Sequence, residues 1–289
     1  MKKISANLRF IFLTAMMLTA ACVALITVSL FVSYNPETNY FGKSLVYSVA
    51  KALIVLTVIG TAFYISTLPA DELSGDSPTT LPVSIISALP AISLLTMSAV
   101  IFSGSFNSSV LTFVCGACAV ISSVYFIFNS IFADSKNSVK VYLGCFVPFT
   151  GILIIAITYF DMSVSMNAPA KVFLYIALIS FSLWSLLELR TMAEKRYPRM
   201  YFALGLITVT LTASASIPWI IAMIVGKLGK PIYPSYIIFN VIAFALSVYV
   251  LVRMIVFLSA RSLIERLSEQ TYSDNDIKSS GEDKKSEEV

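Results

Sequence analysis

Eight stretches of almost unbroken apolar residues, at roughly 10–33, 45–66, 81–103, 109–132, 141–160, 171–190, 201–226 and 236–258, decide what this chain can fold into. A bilayer core of about 30 Å is crossed by about 20 residues of helix, and each stretch is close to that length. In lipid a helix satisfies its own backbone hydrogen bonds, and these stretches are too long and too uniformly apolar for barrel strands. Charge is scarce: 12% of residues are charged and 57% are apolar, with a mean hydropathy of +0.85. A soluble domain carries about 25% charged residues, so this chain cannot cover a water-exposed surface of its size. The expected fold is all-α, a polytopic integral membrane bundle of about eight transmembrane helices over 1–258, with the lipid bilayer as its partner.

The first stretch follows Lys2, Lys3 and Arg9 but is longer than the 7–15 residues of a signal-peptide core, so it reads as an uncleaved span. Short separators rich in turn residues, such as "SYNPETNYFGKS" and "GKLGKPIYPS", divide the runs. With eight spans, the N-terminus, 67–80, 133–140, 191–200 and the tail share one side. That side holds Lys2, Lys3, Arg9, Lys136, Lys140, Arg190, Lys195, Arg196, Arg199, Arg253, Arg261 and Arg266; the other holds Lys43, Lys171, Lys227 and Lys230. The positive-inside rule then puts both termini in the cytoplasm, in an integral multi-pass protein of the cell membrane. The acidic 67–80 loop fits this poorly, but acidic residues weigh little in the rule. Tyr34, Tyr40, Tyr159, Tyr197, Tyr201, Tyr233 and Tyr236 fall at run ends, as an interfacial aromatic belt should.

Beyond the last run, "SARSLIERLSEQTY" places Leu263, Ile264 and Leu267 on one helical face, with Arg261 and Glu265 four apart. Residues 259–272 are expected to form a juxtamembrane amphipathic helix. From Ser273 the sequence has no apolar periodicity, and 273–289 reads as a disordered cytoplasmic tail.

The chain has no histidine, which removes the commonest general base and metal ligand. "VCGAC" at 114–118 puts Cys115 and Cys118 three apart on one helix face. A structural zinc site wants four ligands, and a redox pair wants a cation or helix N-terminus to stabilise the thiolate; neither is near. The run "CGACAVISS" is instead the small-residue composition that lets membrane helices approach closely. There is no P-loop, no GxSxG elbow and no metal-binding helix motif, and "DELSGDS" at 71–77 lacks the ligand order of a calcium loop. The chain therefore reads as a non-enzyme with no cofactor, no metal site and no nucleic-acid partner.

Charged residues within spans are the first functional suspects in a membrane protein. Lys51 lies about two turns into the second span, close enough to an end to snorkel, or placed to form a buried ion pair or a substrate contact. Glu188 and Arg190 close the sixth span near Arg196 and Arg199, as an interfacial ion-pair network, a gate or a partner contact. Proline supplies the other signal. Pro90 lies in the middle of the third span after Ser87, and Pro218 lies inside the seventh after Thr212, Ser214 and Ser216. Proline frees backbone carbonyls, and hydroxyl side chains either re-satisfy the backbone or face a ligand. Ser87, Pro90, Thr212, Ser214, Ser216 and Pro218 are therefore either the candidate lining of a polar cavity or kinks that serve only packing, and Pro148 marks a further kink in the fifth span with the same two readings. Two readings follow. One is a small-molecule solute transporter or permease component rocking about the kinks. The other is a non-transporting sensor, anchor or assembly subunit that meets a protein partner at the cytoplasmic face through 190–199 and the tail. An apolar solute blurs the distinction, because a lipid-facing groove needs few polar groups.

Overall fold

The computed structural model describes residues 2–36, 38–68, 81–104, 109–131, 138–161, 165, 167–193, 197–227 and 237–259. The proposed juxtamembrane helix and tail, beyond Ser259, lie outside the described residues, as do Tyr233, Tyr236 and most of the 67–80 loop. The helices are α1 (Lys2–Ser33), α2 (Leu45–Ser66), α3 (Leu81–Phe102), α4 (Val110–Ile131), α5 (Ser138–Gly144), α6 (Phe146–Phe160), α7 (Pro169–Met192) and α8 (Pro198–Ile224), followed by α9 (Ile237–Ser259). With α5 and α6 counted as one, these give eight segments long and apolar enough to span a membrane, at the eight expected places and with ends shifted by a few residues. The fold is all-α. The described residues add one short antiparallel pair, β1 (Tyr34–Asn35) and β2 (Tyr40–Phe41), in the first separator.

Local chemistry sets the helix ends. Ser44 caps α2, its side chain accepting from the Tyr47 N–H at 3.3 Å, and Pro169 and Pro198 open α7 and α8, where a missing N–H is harmless. The fifth span is broken close to Pro148, where the sequence predicts a kink. A helical Pro148 would leave the Gly144 carbonyl without its donor and press its ring on that carbonyl. The chain instead interrupts the helix at Cys145, whose N–H is shared between the carbonyls of Val141 and Tyr142, and Pro148 falls in the first turn of α6. Pro90 and Pro218 stay inside continuous helices.

α3 packs chiefly on α4, α4 on α6, α6 on α7, α7 on α8, and α8 on α1 and α2. α9 passes through the middle: Tyr249 meets Phe126 of α4 and Trp184 of α7, Phe257 meets Tyr201 and Phe202 of α8, and Ile242 and Leu246 share a small void with Leu94 of α3 and Ile154 of α6. Glycines allow the close approaches. A methyl added at Gly151 would stand 2.5 Å from the Ser182 Oγ, and one at Gly116 would meet Ile101 at 3.0 Å. Cys115 and Cys118 are both buried on α4; the Ser98 hydroxyl of α3 donates to the intervening Gly116 carbonyl at 3.1 Å. The outward surface is apolar at helical spacing: Phe10, Leu13 and Met17 on α1, Val55, Ile59 and Phe63 on α2, Ile85 and Ile92 on α3. Apolar exposure on this scale is the mark of a lipid-facing surface.

Candidate functional site

Two features stand out, at opposite ends of the bundle. At the end carrying β1 and β2, α2 and α7 both lean on α8 and leave a groove of about 630 Å³ between them, within the range of small-molecule sites. Its walls are Ile54, Val55, Val58 and Ile59 of α2 and Val172, Phe173 and Ile176 of α7; Leu211 of α8 forms the floor. Val55, Ile59, Val172 and Ile176 are exposed, so the groove opens sideways toward lipid. Its polar groups, Tyr40, Tyr47, Lys51 and Asn167, gather toward the hairpin end.

An aromatic chain shapes that end. Trp219 of α8 meets Tyr34 edge-on at 5.1 Å, Tyr34 meets Phe41 at 5.4 Å, Phe41 stacks on Tyr47 at 4.0 Å, and Tyr47 meets Phe173 of α7 at 6.5 Å. The hairpin that presents Phe41 turns through Asn39, at φ 60°, a conformation asparagine tolerates, and the Tyr34 hydroxyl donates to the Asn39 side chain at 3.0 Å. Burial pushes the Tyr34 phenol up to about 12. Across the groove mouth the Tyr40 and Ser165 hydroxyls are hydrogen-bonded at 2.6 Å. Lys51 points its ammonium over the Tyr47 ring, 4.6 Å from the centroid. It has no carboxylate partner among the described residues.

At the opposite end, one to two turns inside the helices, lies a buried polar cluster. Glu188 of α7 is ion-paired with Arg253 of α9, and the Tyr201 hydroxyl of α8 donates to the other carboxylate oxygen at 2.5 Å. Both charged residues are buried. Around them, Trp184, Tyr249 and Glu188 line a void of about 10 Å³ with Tyr125, the size of about one water molecule. The Trp184 Nε1 and the Nε and Nη1 of Arg253 are buried without a hydrogen-bond partner among the described residues.

The candidate residues named from the sequence are spread over several helices. Ser87, Thr212 and Ser216 turn their hydroxyls back to the carbonyls of Val83, Thr208 and Thr212 on their own helices, at 2.7, 2.6 and 2.7 Å. Ser214 is buried without a partner among the described residues. Pro90 and Pro218 sit in helices with different neighbours, α3 chiefly against α4 and α8 against α1, α2 and α7, so the six residues are not drawn into one cluster. Lys51 is placed at the groove. Glu188 pairs with Arg253 rather than with the arginines of 190–199, and Arg190 lies over the Tyr197 ring at 4.6 Å. Tyr34 and Tyr201, expected in an interfacial belt, are buried, because Tyr34 packs the hairpin against α8 and Tyr201 bonds Glu188.

Arg253, counted from the sequence only among the cytoplasmic-side cations, is instead buried and paired with Glu188, and the groove walls went unseen. Arg253 stands among apolar residues in "LVRMIV", six residues before the last described position of α9, and that interruption was the available signal. The walls carry no such sign, since groove-lining and lipid-facing aliphatic residues are chemically alike. No family model, no curated protein and no solved structure matches this chain.

Proposed function

We propose that this multi-pass membrane protein is a carrier for a lipid-like solute, which it admits sideways from the bilayer through the groove between α2 and α7. The observation that carries the reading is the groove itself: about 630 Å³, floored by Leu211 and open on its lipid face. A soluble substrate would need a path through water, whereas an apolar one already dissolved in the bilayer needs only a shaped recess. The floor residue precedes Thr212 and lies seven residues before Pro218, and a proline-weakened α8 gives the recess a back wall able to bend. In the orientation favoured by the basic residues, the groove faces the outer leaflet of the cell membrane.

The test is photocrosslinking in lipid nanodiscs with a diazirine-bearing acyl chain, followed by peptide mapping. Adducts should concentrate on Val55, Ile59, Val172 and Ile176 and fall when Leu211→Trp fills the floor. Labelling spread evenly over the outward faces, including Ile85 and Ile92 of α3, and indifferent to Leu211→Trp, would overturn it. Transbilayer movement of a fluorescent acyl amphiphile in proteoliposomes, lost in the same variant, checks the carrier step.

A further inference from the structure

We infer that the groove selects an amphiphile with an anionic head, and that Lys51 is the residue that reads the head. This rests on the proposed lateral groove and adds the chemistry of its occupant.

The groove is polarised along its length. From Tyr47 to Ile59 it follows α2 for twelve residues, about 18 Å at 1.5 Å per residue, or little more than half a bilayer core of about 30 Å. It is one leaflet deep. Its polar groups lie toward the hairpin end and its deep end is aliphatic, the same order as a head and tail in that leaflet. Lys51 is the one charged side chain lining it among the described residues. With no carboxylate partner there, the ammonium is held only by the face of Tyr47, a contact that leaves its outward hydrogens available. At the edge of a low-dielectric slab an uncompensated cation attracts an anion strongly, and Tyr40 and Asn167 line the same groove as polar groups.

The experiment uses the full chain in nanodiscs of zwitterionic lipid and two diazirine probes with the same acyl chain: a fatty carboxylate and the neutral monoglyceride. Groove labelling by the carboxylate should exceed that by the monoglyceride about tenfold. Lys51→Gln should remove the preference, and Lys51→Arg should keep it. Lys51 is exposed, so neither change disturbs packing. Equal groove labelling by carboxylate and monoglyceride, or a preference that survives Lys51→Gln, would overturn the head-group assignment while leaving the groove standing. No groove labelling by either probe would take down the carrier reading as well.

Discussion

Arg253 of α9 and Glu188 of α7 are joined by an ion pair inside the bundle, and Tyr201 of α8 donates to the same carboxylate. Three helices are thereby tied at one point. Breaking a buried pair by removing one partner leaves an uncompensated charge, at a cost of about 3–5 kcal/mol, whereas removing both charges together is often neutral. Glu188→Leu and Arg253→Met should each lower the thermal unfolding midpoint in detergent sharply, and the double variant should recover most of the loss. An additive double variant would mean that the two residues do not act as a pair.

Tyr201→Phe removes only the hydroxyl donor to Glu188. A hydrogen bond to a charged group contributes about 1.5–3 kcal/mol, so this variant should be destabilised less than Arg253→Met. A midpoint as low as that of Arg253→Met would place the main support of Glu188 on the tyrosine.

Gly151→Ala brings a methyl to 2.5 Å from the Ser182 Oγ, against its 3.3 Å hydrogen bond to the Pro148 carbonyl. Overpacking of this kind costs about 1–3 kcal/mol. The Ser182 Cβ would be 3.9 Å from the new methyl, so Ser182→Ala should rescue it. Comparing the two unfolding midpoints decides whether the hydroxyl is the obstacle.

Tyr34 has its phenol pushed up to about 12 by burial, against about 10 in an unfolded chain. A raised native pKa means that the stability from this group is complete below pH about 10 and drains away between about 10 and 12, as the unfolded phenol ionises first. In an ultraviolet phenolate titration, the difference between wild type and Tyr34→Phe should appear only near the top of that window. Ionisation of the difference signal near 10 would mean an open hairpin.

Cys22, Cys115 and Cys118 are buried and Cys145, at the break between α5 and α6, is exposed. A small maleimide in detergent should add once per folded chain by intact mass, at Cys145, and at all four thiols after unfolding. Early modification of Cys115 would show the α3–α4 seam to be loose.

The spans were legible because the solvent imposes them: twenty apolar residues have one favourable conformation in lipid, and the runs from 45 to 66 and from Leu45 to Ser66 coincide. Tertiary pairing was much less legible. Lys51 was visible as a lone charge, but nothing in the sequence sets it beside Phe173, more than a hundred residues on. Glu188 had arginines within a dozen residues and pairs with one much farther away: Arg190 is exposed at the helix end and lies over Tyr197, while the central helix carries Arg253 inside. Serine and threonine near Pro90 and Pro218 looked like cavity lining because sequence cannot say which way a hydroxyl rotates; three of them face their own helix.

That last habit has a mechanical side. Most helices are stitched to a neighbour by a side-chain hydrogen bond: Thr19 to Thr210, Ser98 to Gly116, Ser122 to Thr150, Ser182 to Pro148. Along α2 the described hydroxyls of Ser48, Thr57 and Ser66 bond within the helix, and Thr57 reaches α1 only through the Cys22 thiol, a weak partner. One wall of the groove is thus held to the frame by apolar packing and one weak thiol contact, with its directional contacts gathered at the aromatic end.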